Sequence, residues 1–187
     1  KKKQTYRESR AKKDNFLLSN GDQKFDLPQV TAHIHQKYST KLSASYKAIF
    51  EAYDKNVKDI DRIYQEMTNL YLYAYDDFVD DDENFQNNKM DEIITYCLNR
   101  SNPESLQKVT IAFLINVFRN EKTIIMEILV KNGIIQMLYD LIQNEYVSSS
   151  LSILILQCAT NIASDSKEYR DEVFKTFFYD DRSQSFN

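Results

Sequence analysis

Few side chains in this chain are of the kind that do covalent or metal chemistry, and their spacing excludes most of it. The only histidines are His33 and His35. A His-Ile-His spacing puts both rings on one face only in an extended segment, and no Cys, Asp or Glu joins them at ligand spacing, so no metal site is expected. The acids of "DDFVDDDENFQNNK" (76–89) lack the glycine and the alternating ligand order of a calcium loop. They read as a solvated acidic loop without helical period. Neither a glycine-rich phosphate loop nor a nucleophile motif is present, so the chain reads as a non-enzyme with no cofactor. Cys97 and Cys158 lie inside apolar runs and are expected to be buried and reduced, as in a cytoplasmic or nuclear protein.

What remains is chemistry of binding. Asn116 and Asn161 each sit in an apolar run, the second within "CATNIASDSKEYRDEVF" (158–174). An amide offers N–H donors and a carbonyl acceptor. It suits either the backbone of an extended peptide lying on an exposed stripe, or the satisfaction of neighbouring helix ends. The second binding feature is charge. Residues 1–13 hold seven basic side chains against the single acid Glu8, so this arm carries +6 while the rest of the chain carries −10. Such an arm is either a solvated tail or a segment that binds something acidic, its own body or a partner.

The elements that position these residues are expected to be helices. The chain has 187 residues, 42% of them apolar, and only two glycines and two prolines, too few for the turns that sheets need. No apolar run approaches membrane-spanning length, so neither an anchor nor a signal peptide is read. After a linker, "NGDQKFDLPQVT" (20–31), helical spacing begins with Leu42, Tyr46, Ile49, Phe50 and Tyr53. Val57, Ile60, Ile63, Tyr64, Met67, Leu70 and Tyr71 continue it after a break near 54–56. The tyrosine-rich "NLYLYAYDDF" (69–78) reads as helix, with some rings in the core and others on a binding surface. A short amphipathic helix spans 90–99. Asn102 and Pro103 then look like the cap and first turn of a helix at 103–119, so apolar between Val109 and Phe118 that it must be buried between neighbours. Further helices follow at 121–132, with Gly133 as its C-cap, at 134–144, and at 151–163 after a serine-rich break.

Two segments match when aligned on their asparagines. "TIAFLINVFRNEKTIIMEILVKNGI" and "LILQCATNIASDSKEYRDEVFKTFF" both run from an apolar helix through Asn into a charged amphipathic helix, and Asn116 and Asn161 lie 45 residues apart. A period in the forties, several helical pieces per unit and no strands point to armadillo or HEAT-type repeats.

At these residues the chain resembles the importin-alpha family. "TNIASDSKEYRDEVF" (160–174) is similar to the end of a third armadillo helix running into the next repeat, and "RESRAKKDNFLL" (7–18) looks like the end of the importin-beta-binding segment. The resemblance covers 1–18 and about 100–178. It implies an all-α fold, an armadillo-type helical solenoid of about three to four repeats with a basic N-terminal arm. The parts would be an arm at 1–20, a linker at 21–33, repeats over 34–178 and a polar tail at 179–187. It also implies an importin-beta contact through Arg7, Arg10, Lys12, Lys13, Leu17 and Leu18. The concave groove, where Asn116 and Asn161 would hold a basic peptide or the arm itself, would be the second site. In the family a tryptophan four residues before each asparagine stacks on cargo lysines. This chain has no tryptophan and carries Ala112 and Gln157 there. Each lysine slot thus loses a contact of about 0.5–2 kcal/mol, so classical signal binding is expected to be weakened. Past the leucines, "Ser19-Asn20-Gly21" replaces the family's further basic cluster, which removes support for self-binding by the arm.

Protein partners and a larger assembly are therefore expected, with Phe177, Phe178 and Phe186 left as apolar ends. Two alternatives stand beside the adaptor. One is a structural component without transport activity. The other is cargo whose "KKK" (1–3) and "RAKK" (10–13) form a bipartite nuclear localisation signal. Nucleic acid is not expected, because the acidic body would repel phosphates and no recognition motif is present.

Overall fold

The computed structural model describes residues 39–76, 82–119 and 124–179. The described residues form nine α-helices and no strand: α1 Ser39–Tyr53, α2 Ile60–Asp76, α3 Asp82–Asn87, α4 Met90–Cys97, α5 Glu104–Arg119, α6 Ile124–Lys131, α7 Ile134–Ile142, α8 Ser149–Ala163 and α9 Lys167–Phe178. The fold is all-α, as the shortage of glycine and proline predicts.

Each boundary has a local cause. The break after α1 falls at Asp54–Asp59 and takes in Val57, which is 83% exposed and outside the helical apolar face its spacing suggests. Asp59 closes the break by accepting the Arg62 N–H on its side chain at 3.1 Å. That hydrogen bond holds the Asp59 carboxyl below its ordinary value, against the smaller opposite effect of burial. Lys58 rests on the same break, its ammonium 4.5 Å from the Tyr53 ring and 5.3 Å from the Tyr96 ring. Gly133 stands between α6 and α7 in the left-handed region at φ 81°, its N–H donating to Val130 O at 3.0 Å. That is the expected C-cap. Lys89 occupies the corresponding position between α3 and α4 at φ 52°, the only non-glycine residue there among those described. Ser148 and Ser166 cap α8 and α9 by accepting the N–H of Leu151 and of Tyr169.

Two expectations need correction. The acidic stretch 76–89 is not all loop: Asp82–Asn87 is a short helix, held down by the fully buried Phe85, whose ring meets Tyr46 edge-on at 5.8 Å. One aromatic anchor among acids outweighs the composition, and Asp82 and Glu83 in the first turn suit the helix dipole. Asn102 does not cap α5 with its amide, which donates back to Tyr96 O at 2.5 Å. The carbonyl of Pro103 accepts the first helical N–H groups, those of Leu106 and Gln107.

Three of the four long helices, α2, α5 and α8, lie side by side, with α5 packed against α2 on one side and α8 on the other. They begin at 60, 104 and 149, so each recurs after 44 or 45 residues. A pair of short helices precedes α5 (α3 and α4) and α8 (α6 and α7), and α9 packs on α7 and α8 after the last of them. One continuous apolar core runs from Leu42 to Val173. In α5 every residue from Leu106 to Phe118 is buried, which is why that segment reads as apolar on all sides. Tyr71 of α2 is buried and Tyr73 half-buried, with the Lys41 ammonium 5.8 Å from the Tyr73 ring.

Candidate functional site

The asparagines that stand out in the sequence lie at the two interfaces of this stack. Asn161 of α8 donates its side-chain N–H to Ile115 O of α5 at 3.2 Å, and Asn116 of α5 donates to Tyr71 O of α2 at 3.1 Å. The positions 71, 116 and 161 are 45 residues apart, so each amide reaches the backbone of the preceding long helix at its own or the adjacent register. These are rungs. A mid-helix carbonyl has a second lone pair left after its own helical bond, and an amide can use it without disturbing either helix. Both asparagines are buried, so the expected solvated stripe is not where they stand. Their donors serve the neighbouring helix at mid-helix carbonyls, neither a peptide on a solvated stripe nor the helix ends that are the alternative in the sequence.

Ala112, one turn before Asn116, is fully buried, and α5 presents no exposed side chain between 106 and 118. Gln157, one turn before Asn161, is half-buried, and its amide nitrogen is out of solvent with no hydrogen-bond partner among the described residues. The four groove positions thus fall on two adjacent helices at matching registers. In α5 they are closed off from solvent. Arg7, Arg10, Lys12, Lys13, Leu17 and Leu18 of the arm, and His33 and His35, lie outside the described residues.

Further polar contacts join residues 40 to 44 positions apart, and nothing in the sequence singles them out. Ser148 donates to Glu104 at 2.6 Å across 44 residues, while Lys108 pairs with the same carboxylate oxygen at 2.7 Å. Burial pushes the Glu104 carboxyl up, but the hydrogen bonds from Lys108 and Ser148 outweigh it and bring the group below its ordinary value. Asn132 donates to Asp91 at 2.8 Å across 41 residues, and the Arg100 guanidinium donates to Asp140 O across 40. The signal available in advance was only the offset: polar residues paired at separations near the repeat length.

The cysteines are inert, as expected from their apolar surroundings. Cys97 and Cys158 are buried and unpaired with each other, and burial pushes the Cys97 thiol up to about 12 and Cys158 further still. Among the described residues no cluster of three His, Cys, Asp or Glu is placed to hold a metal ion, and no helix is long and apolar enough to cross a membrane.

The α8–α9 end has a different character. Leu156, Ala159, Thr160 and Ala163 of α8 face Val173, Phe174, Phe177 and Phe178 of α9 across an open groove of about 500 Å³. Phe174, Phe178 and Tyr179 are 57%, 67% and 77% exposed, and Leu156 is 46% exposed. No known protein family, curated protein or solved structure matches this chain.

Proposed function

We propose that this chain is an armadillo-type helical scaffold that acts by binding proteins, an importin-alpha-like adaptor whose classical signal binding is weakened. The observation that carries the reading is the pair of asparagine rungs set 45 residues apart on successive long helices, which supports a stack of like units. The resemblance of 7–18 and 160–174 to the importin-alpha family adds the direction, toward nuclear protein import. In this reading the basic arm, through Arg7, Arg10, Lys12, Lys13, Leu17 and Leu18, contacts importin-beta, and the protein moves between cytoplasm and nucleus within a larger assembly. No catalysis and no cofactor belong to it.

Cargo binding in the groove has less support. The chain lacks tryptophan, and the amides meant to hold a peptide backbone are already bonded to helix carbonyls. This favours the second reading, a structural component that keeps the scaffold without the transport activity. One experiment separates the two. The full chain and a truncation to 19–187 are tested for capture of importin-beta and of a basic signal peptide. Arm-dependent capture of importin-beta supports the adaptor. Capture of neither, or arm-independent capture, rejects it. Capture of the full chain by importin-alpha in place of importin-beta means that the arm is a cargo signal.

A further inference from the structure

The two ends of the helix stack are unlike. At the α1–α2 end no large apolar side chain of either helix is exposed among those described, and the exposed positions are residues such as Lys41, Lys47, Glu51 and Asp61. At the α8–α9 end, by contrast, a groove floored by the small residues Ala159 and Ala163 runs beside Phe174 and Phe178, whose ring centroids are 5.0 Å apart. Knob and hole therefore share one surface. A two-fold contact requires this, since the same patch must serve both partners.

We propose that the α8–α9 face is a self-association surface, on which a second copy of this chain docks two-fold, each copy placing Phe174 and Phe178 against the other's Leu156–Thr160–Ala163 stripe. Three observations support a second copy as the occupant. The patch continues an interface the fold already uses. Leu156, Thr160 and Ala163 are each one 45-residue register on from Ile111, Ile115 and Phe118, which are buried in the twice-flanked α5. The area suits a weak, reversible contact. Aromatic side chains bury about 200 Å² each, so Phe174 and Phe178, both exposed by more than half, offer roughly 250 Å² per copy. With Leu156 and Ile153, two copies reach about 800 Å² in total, in the range of transient interfaces. Finally, among the described residues neither α1 nor α2 exposes a large apolar side chain, and Val57 of the break between them is the one exposed there. The same face of a second copy is therefore the better apolar match, an end-to-same-end contact.

Sedimentation of the full 187-residue chain across roughly 1–200 µM, the range that brackets a contact of this size, gives the first test. A concentration-dependent dimer is expected. Phe174→Asp and Phe178→Asp, both on exposed side chains and checked for unchanged helicity by circular dichroism, should raise its dissociation constant about 30-fold or more. Tyr146→Asp, 88% exposed and away from the groove, should leave it unchanged. Because the chain has no tryptophan, Tyr179→Trp adds a local probe whose emission should move to the blue as the dimer forms. A chain that stays monomeric throughout, a dimer insensitive to both Phe variants, or an indole emission from the Tyr179→Trp variant that stays solvent-like in the dimer overturns the proposal.

Discussion

Helices α5 and α8 occupy the same place in successive units and live in opposite surroundings. Both carry an asparagine rung, and both are flanked by short helices. Yet α5 has a long helix on each side and buries thirteen residues in a row, whereas α8 has a long helix on one side only and leaves Leu156 46% exposed. The sequence has adjusted to this in part. Where α5 has Ile115 and Phe118, α8 has Thr160 and Ala163, smaller or more polar at the same register, while Ile111 has become Leu156. What a side chain at matched positions of α5 and α8 requires is thus set by the helices on either side of it.

The largest test of this contrast is truncation of the two helices in turn. Phe113→Ala in α5 should cost about 3–5 kcal/mol, since the ring is wholly buried and the cavity has walls on every side. Leu156→Ala, at a protein concentration low enough to keep the chain monomeric, should cost no more than about 1 kcal/mol. Urea denaturation measures both. Similar losses would mean that the two helices are equally enclosed.

The rungs come next. Asn116→Ala and Asn161→Ala should each destabilise the chain by about 1–2 kcal/mol, the range for a lost buried hydrogen bond plus a small void. Asn116 should suffer the more, because it lies between two covered helices. If both substitutions proved neutral while signal-peptide binding fell, the amides would be serving a ligand and not the fold.

A smaller effect separates the two left-handed turns. Lys89→Gly should stabilise the chain by about 0.5–1 kcal/mol by relieving a side chain held at φ 52°. Gly133→Ala should lose a similar amount through φ strain alone, because an added Cβ meets nothing within 4 Å. Thermal melts that showed no opposite-signed pair would reject this equivalence of the turns.

The smallest effect is electrostatic. Burial raises the Glu104 carboxyl, but Lys108 and Ser148 together hold it below the ordinary 4.5. Its contribution is therefore full above about pH 4.5 and is lost as pH falls through the lower folded value. The stability difference between the native chain and Glu104→Gln should shrink on acidification below about pH 4.5. A difference independent of pH would place no charge-dependent role on that contact.

How far the sequence reveals this fold follows from where each signal resides. Local features are legible. The all-helical class, the break after α1, the capping glycine at 133 and the burial of α5 all lie in spacing or in a single residue type. Relations between units are legible only as an offset. Asn116 and Asn161 are visibly equivalent, but nothing in either run says whether the amide faces a groove or the next helix, and that is decided by residues 45 positions away. Helix α3 was hidden for the opposite reason. Its stabilising contact is Phe85 on Tyr46, one long-range ring pair inside a segment whose composition argues for solvent. The Glu104–Ser148 pair also joins residues whose types are common in any exposed helix end.

The rungs have a mechanical consequence. Pulled from its ends in an optical trap, a chain joined by like contacts between successive units gives way unit by unit. Loss of the Asn161 rung frees α8 from α5 and loss of the Asn116 rung frees α5 from α2. Each event releases about one repeat, roughly 150 Å of extended backbone for some 45 residues. The force record of this chain would then be a short staircase of nearly equal steps, each ruler-marked by the spacing of two asparagines.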